Sequence, residues 1–119
     1  MTDLEERIEH ELSFFDSNGQ RQLFRSLRVS PRETVQSWQY GPETHRCLIV
    51  ATDGTTQIVF CSTGFGPDFP WSAQRVGEED LGRDDHWAAY LYEAFVSSRL
   101  WPAGAPRGLT HMAPGERRA

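Results

Sequence analysis

"RCLIVATDGTTQIVFCS", residues 46–62, decides the fold. Two runs rich in β-branched and apolar residues flank Asp53-Gly54, and an Asp-Gly pair in that setting is the strongest short-range signal for a β-hairpin. A two-residue loop sets Thr52 opposite Thr55, and so Ile49 opposite Ile58 and Cys47 opposite Phe60. Side chains alternate along a strand. One face then carries Cys47, Ile49, Ala51, Ile58 and Phe60, and the other Leu48, Val50, Val59 and Cys61. Both faces are apolar, which predicts a cover on each. In this register the two cysteines point to opposite sides and form no disulfide. A loop one residue longer would set them opposite each other, but Asp-Gly favours the shorter loop.

Just upstream, "TVQSWQYG", 34–41, alternates as a strand does, and Gly41-Pro42 stops it. Further back, residues 3–15 read as a helix. Thr2 and Glu5 form a capping box, and Leu4, Ile8, Leu12 and Phe15 lie on one helical face. "DSNG" at 16–19 ends that helix. Residues 20–33 are compatible with more than one element. Leu23, Phe24 and Leu27 have helical spacing, and "SPRE" at 30–33 resembles the start of a short second helix.

Downstream, "TGFGPDFPWS", 63–72, can be neither a helix nor a regular strand, with two Gly and two Pro among its aromatics. In one reading Phe65, Phe69 and Trp71 plug the open edge of the core. In the other they form a stiff platform for a partner. "AQRVGEEDLGRDD" follows as a polar loop anchored by Val76 and Leu81. Residues 85–100 then read as a second helix, capped by Asp84 or Asp85, with Trp87, Leu91, Ala94, Phe95 and Ser98 on its inner stripe beside Ala88. Trp101-Pro102 stops it. The Pro/Gly/Ala-rich segment 102–119 shows no period and is expected to be a flexible tail to a single domain over 1–101. The expected fold is therefore α+β: a three-stranded antiparallel meander packed by an N-terminal and a C-terminal helix, in the order α-β-β-β-α.

All twelve basic residues are arginine, a bias that fits a GC-rich bacterial genome, and the formal net charge is −5. An acidic balance argues against nucleic-acid binding, which depends on neutralising phosphates. Arg21, Arg25, Arg28 and Arg32 recur every three or four residues and are expected to pair with the acidic first helix. The acidic amphipathic N-terminus has neither the basic start nor the apolar centre of a signal peptide, and no apolar run is long enough to cross a bilayer. The expected location is cytoplasmic, with no membrane partner.

Two cysteines are too few for a disulfide scaffold. With no C-x-x-C and four scattered histidines, no metal site and no cofactor is expected. Cys61 and His86 are the one Cys–His pair that could meet, and they read more simply as a core thiol and a surface imidazole. No motif of a known catalytic class occurs, so no catalytic residue is assigned and the reading leans away from an enzyme. The expected function is protein–protein interaction, in one form an immunity-type neutraliser of a basic toxin or effector. Phe69 and Trp71 would anchor that partner, and Asp68, Glu78, Glu79, Asp80 and Asp84 would steer it. The alternative is a small-molecule binder or enzyme, with a pocket between the sheet and the 63–72 loop lined by Trp38, Tyr40, Trp71, Arg75 and His86. A homodimer is a third possibility.

Overall fold

A computed structural model describes residues 2–105. Helix α1 (Asp3–Leu12) begins as its sequence dictates: the Thr2 hydroxyl accepts from the Glu5 amide, and the Glu5 carboxylate accepts from the Thr2 amide. Its inner face buries Ile8 and Leu12, with Phe15 just beyond. The "DSNG" stretch also starts a helix. Ser17 and Gln20 make a second capping box, and α2 (Asn18–Leu27) follows with Phe24 fully buried.

The expected short helix at "SPRE" is absent. Strand β1 (Arg28–Ser37) runs through it and pairs with β2 (Thr44–Thr52). Pro31 is tolerated because β1 is an edge strand whose pairing is irregular between Arg28 and Arg32, so the missing N–H leaves no ladder bond unmade.

Strands β3 (Thr56–Phe60) and β4 (Trp71–Arg75) complete a four-stranded antiparallel sheet in the order β1-β2-β3-β4. The meander therefore has one strand more than expected. The extra strand lies where the sequence reads as loop. Trp71 and Ser72 end the Pro-interrupted stretch, and pairing with β3 decides their conformation.

The hairpin is present, but in another register. Asp53 is the cap of the turn. Its carboxylate accepts from the amides of Thr55 and Thr56 at 2.9 and 2.8 Å, and these bonds hold the carboxyl below its ordinary pKa. The tight turn moves onto Gly54, whose φ of 94° suits glycine alone, and Thr52 pairs with Gln57. A bulge between Ile49 and Ala51 then shifts the pairing again, giving Ile49 opposite Val59 and Leu48 opposite Phe60. The next step of this register sets Cys47 against Cys61. The expectation that the cysteines face opposite sides is overturned, because the shorter loop is not the one that forms.

The expected helix over 85–100 forms only in its second half. A 3-10 turn (Asp84–His86) leads to Ala88, which pairs with Trp71 through two backbone bonds of 2.7 and 3.1 Å and so cannot be helical. Helix α3 spans only Leu91–Val96. Tyr90, rather than Asp84 or Asp85, precedes it. Trp87, Ala88, Leu91, Ala94 and Phe95 are buried all the same. Of the tail expected over 102–119, residues 106–119 lie outside the described part.

Both faces of the sheet are covered, as the apolar hairpin predicts. On one face the three helices pack Ile8, Leu12, Phe15, Phe24, Phe95 and Leu100 against Val50, Ile58 and Trp71. Phe15 stacks on Phe95 with ring centroids 5.5 Å apart. On the other face the segments between elements supply Phe69, Leu81 and Trp87 over Cys47, Ile49, Val59 and Cys61. The aromatic loop is therefore a plug, split between the two layers.

The sheet is curled. Three interstrand spacings would set flat edge strands about 14 Å apart. Yet the carboxamides of Gln36 in β1 and Gln74 in β4 exchange two hydrogen bonds, each 2.8 Å. Ser37 closes the ring by a parallel bridge to Asp80. Gln36 is fully buried. Gln36→Leu strands the Gln74 amide and should cost roughly 1–3 kcal/mol, read as a lower urea midpoint at unchanged slope. A midpoint equal to wild type would mean that the amide pair does not hold the edges together.

Candidate functional site

The curl gathers most of the surface features at one end of the sheet. Beyond Ser37 the chain turns through Trp38 and Tyr40 before re-entering at Thr44. Trp38 meets Tyr40, His45 and Phe65 edge-on or tilted, at centroid distances of 5.1, 5.0 and 4.9 Å. Gly64 sits among them with φ 64°. A Cβ there would lie 3.1 Å from Leu81 and 3.5 Å from the Trp38 ring, so both the backbone conformation and the packing require glycine. Tyr40 is held from behind by Trp38 and Phe65 and remains 58% exposed.

Beside this cluster runs the acidic segment 78–84. Its backbone is fastened to the end of β1, with Ser37 donating to the Glu79 carbonyl and Leu81 donating back to Ser37. The Asp80 carboxylate accepts from the Ser37 hydroxyl at 2.7 Å and the Gly82 amide at 2.6 Å, and these bonds lower its pKa from the ordinary value.

The arginines are disposed unevenly against these acids. Arg25 and Arg28 both reach Glu9, Arg7 pairs with Glu11, Arg46 with Glu33 and Arg83 with Asp85. The basic stripe thus turns inward onto the acidic first helix at Arg25 and Arg28, while Arg21 ties the end of that helix through the carbonyls of Leu12 and Phe15. Among the described residues no arginine pairs with Glu78, Glu79, Asp80 or Asp84, and Arg83 within the segment pairs with Asp85, so the rim is net negative.

The structure separates the residues expected to act together. Phe69 is 5% exposed in one layer and Trp71 0% exposed in the other, so neither has surface to offer a partner. Asp68 and Glu79 are exposed, while Glu78, Asp80 and Asp84 are half-buried. The expected ligand pocket divides into three. Trp38 and Tyr40 join the aromatic cluster, Trp71 is core, and Arg75 and His86 line a small recess of about 250 Å³ with Glu78, Asp80 and Gly82.

Sequence reasoning missed the group under the aromatic cluster. Cys47 and Cys61 are both buried free thiols in the same cluster on the second face of the sheet. The Cys61 sulfur lies 3.5 Å from the Thr63 hydroxyl, which is 2.7 Å from Nδ1 of His45. Cys61 therefore meets a histidine, but it is His45 rather than His86, whose nearest charged neighbour is Asp85. The pairing with Cys47 and the hydrogen bonds with Thr63 lower the Cys61 pKa, while the same pairing and burial raise that of Cys47. The one signal in the sequence was the loop length: a single added residue in the pairing places all four side chains on one face.

No group of three or more His, Cys, Asp or Glu side chains among the described residues is arranged to hold a metal ion. No helix among them is long and apolar enough to cross a membrane. No family model, no curated protein and no solved structure matches this chain.

Proposed function

We propose that this chain is an acidic protein-interaction module whose partner is a basic protein, taken up on the 78–84 rim beside Tyr40. The observation that supports this reading is the uneven disposition of the arginines, which offset the acids of α1 and leave those of the rim open. A rim of net negative charge steers an oppositely charged partner and raises its association rate. Tyr40 supplies what Phe69 and Trp71 do not: a large aromatic surface, exposed and held rigid, the residue type that most often anchors an interface. Asp68, Glu78, Glu79, Asp80 and Asp84 keep the steering role expected of them. An immunity-type neutraliser of a basic toxin or effector in a bacterial cytoplasm is one concrete form of this function. The ligand-binding alternative loses its site, because its five residues occupy three separate places.

The test is affinity capture from the host with wild type, Tyr40→Ala and the charge reversal Glu79→Arg/Asp84→Arg, followed by titration of the captured protein. Tyr40→Ala should weaken binding by roughly 30-fold, an interface anchor being worth about 2 kcal/mol. The charge reversal should slow association and flatten its salt dependence. A captured partner that is not basic, or equal affinity for all three proteins, would overturn the reading. A chain that sediments as a dimer with no other partner would replace it with self-association.

A further inference from the structure

We propose that Cys47 and Cys61 form a dithiol–disulfide site that exchanges with small-molecule disulfides, Cys61 acting as the attacking sulfur and Cys47 as the resolving one. The inference stands on the sheet register. Cys61 donates its amide to Pro70 at 2.8 Å, away from β2. Its place opposite Cys47 is therefore a non-hydrogen-bonded antiparallel position, where Cα atoms are about 4.5 Å apart and a disulfide closes without moving the backbone. The two thiols are buried in one cluster on the same face of the sheet. A lone buried cysteine is ordinary core; two opposed across a ladder, with a hydroxyl and an imidazole in series behind one of them, form a chemical unit.

The surroundings assign the roles. Cys61 opens the turn that carries the exposed Ser62 and Thr63, whereas Cys47 lies within β2. Both sulfurs are buried, and Cys61, next to the exposed turn, is the one that opening of the turn uncovers first. The Cys61 proton passes to the Thr63 oxygen as the Thr63 proton passes to Nδ1 of His45, along contacts of 3.5 and 2.7 Å. Nε2 of His45 is buried with no hydrogen-bond partner, and the nearest carboxylate oxygen, from Glu43, is 3.9 Å away. The Cys61 thiolate then attacks one sulfur of the disulfide RSSR. The Cys61–SR bond forms, the S–S bond breaks, and RS⁻ leaves and takes up a proton. Cys47 attacks the Cys61 sulfur and passes its proton to the second RS⁻ as that group is expelled. The two cysteines are oxidised to one disulfide, and RSSR is reduced by two electrons to two RSH. Excess thiol runs the steps backward.

Oxidised glutathione is the probe, applied to the intact folded chain and followed by intact mass. Wild type should become two hydrogen masses lighter, hold no lasting adduct, and return to the dithiol with reduced glutathione. Cys47→Ser should instead accumulate one glutathione at Cys61, because the resolving thiol is gone. Cys61→Ser should react about tenfold or more slowly than Cys47→Ser, its remaining thiol being the poorer nucleophile. His45→Ala should slow adduct formation in the Cys47→Ser background. Wild type that stays a dithiol in oxidised glutathione, while the same chain oxidises in urea, would overturn the proposal without recourse to any variant. Equal reactivity of the two single variants, with folding checked by circular dichroism, would overturn the assignment of roles.

Discussion

Glu11→Ala is expected to lower the unfolding free energy by about 3–5 kcal/mol, the range seen when one partner of a buried charged network is removed. Glu11 is 5% exposed and holds three elements together. One carboxylate oxygen accepts from the indole N–H of Trp71 at 2.9 Å and from Arg7 at 3.2 Å, and the other accepts from the Leu91 amide at 2.8 Å. The last bond satisfies the first amide of α3, which has no side-chain cap of its own. Removal of the carboxylate leaves two buried N–H donors without an acceptor, each costing about 1–3 kcal/mol, and releases Arg7 from its ion pair. Domains of this size are stable by about 5–15 kcal/mol, so the variant should melt well over 10 °C below wild type at about 4 °C or more per kcal/mol. Glu11→Gln should cost less, since its carboxamide oxygen still accepts one of these bonds. A urea midpoint for Glu11→Ala within about 0.5 kcal/mol of wild type, the size of an ordinary surface substitution, would show that Glu11 does not join these elements.

Trp71→Ala should be comparably damaging, at about 3–5 kcal/mol for a fully buried indole. The ring packs edge-on against Phe60 at 4.9 Å, lies under the Arg7 guanidinium at 5.9 Å, and belongs to the helix-side core. Its backbone also carries the bridge to Ala88 that ends in α3. Loss of partner binding by Trp71→Ala would therefore report unfolding rather than a lost anchor. Trp71→Phe keeps most of the volume and removes the N–H, isolating the bond to Glu11. A double-mutant cycle between Trp71→Phe and Glu11→Ala should give a coupling of roughly 0.5–3 kcal/mol, the range for residues in contact. Additive effects would mean that the 2.9 Å bond contributes nothing.

These two residues mark a limit of sequence reading. Trp71 stood out in the sequence because it was bulky and sat among prolines and glycines, which is equally true of a plug and of a platform. Tyr40 read as a strand residue and a pocket-lining candidate, but it lies three residues past β1, and its exposure follows from Trp38 and Phe65 occupying the space behind it. Glu11 is one of several acids in the first helix. Nothing local distinguishes it from Glu9, which is paired at the surface by Arg25 and Arg28. Burial is a property of what packs against a residue, and for Glu11 that is Trp71 and the start of α3, 60 and 80 residues away in the chain.

The sequence by itself determined the elements whose causes lie within a few residues: the Thr2–Glu5 cap and apolar stripe of α1, the hairpin at Asp53-Gly54, the apolar character of both its faces, and with them the α+β class. Tertiary structure alone decided the rest. The register changed because the Asp53 carboxylate took two amides and a bulge followed at Ile49–Ala51, and this one shift brought Cys47, Cys61, Thr63 and His45 to the same face. The second long helix shortened to Leu91–Val96 because Ala88 gains two ladder bonds with Trp71 in the extended form. A helical stripe and a buried extended segment can carry the same apolar residues. The choice between them rests on hydrogen-bond partners that are distant in sequence, and local periodicity holds no record of those partners.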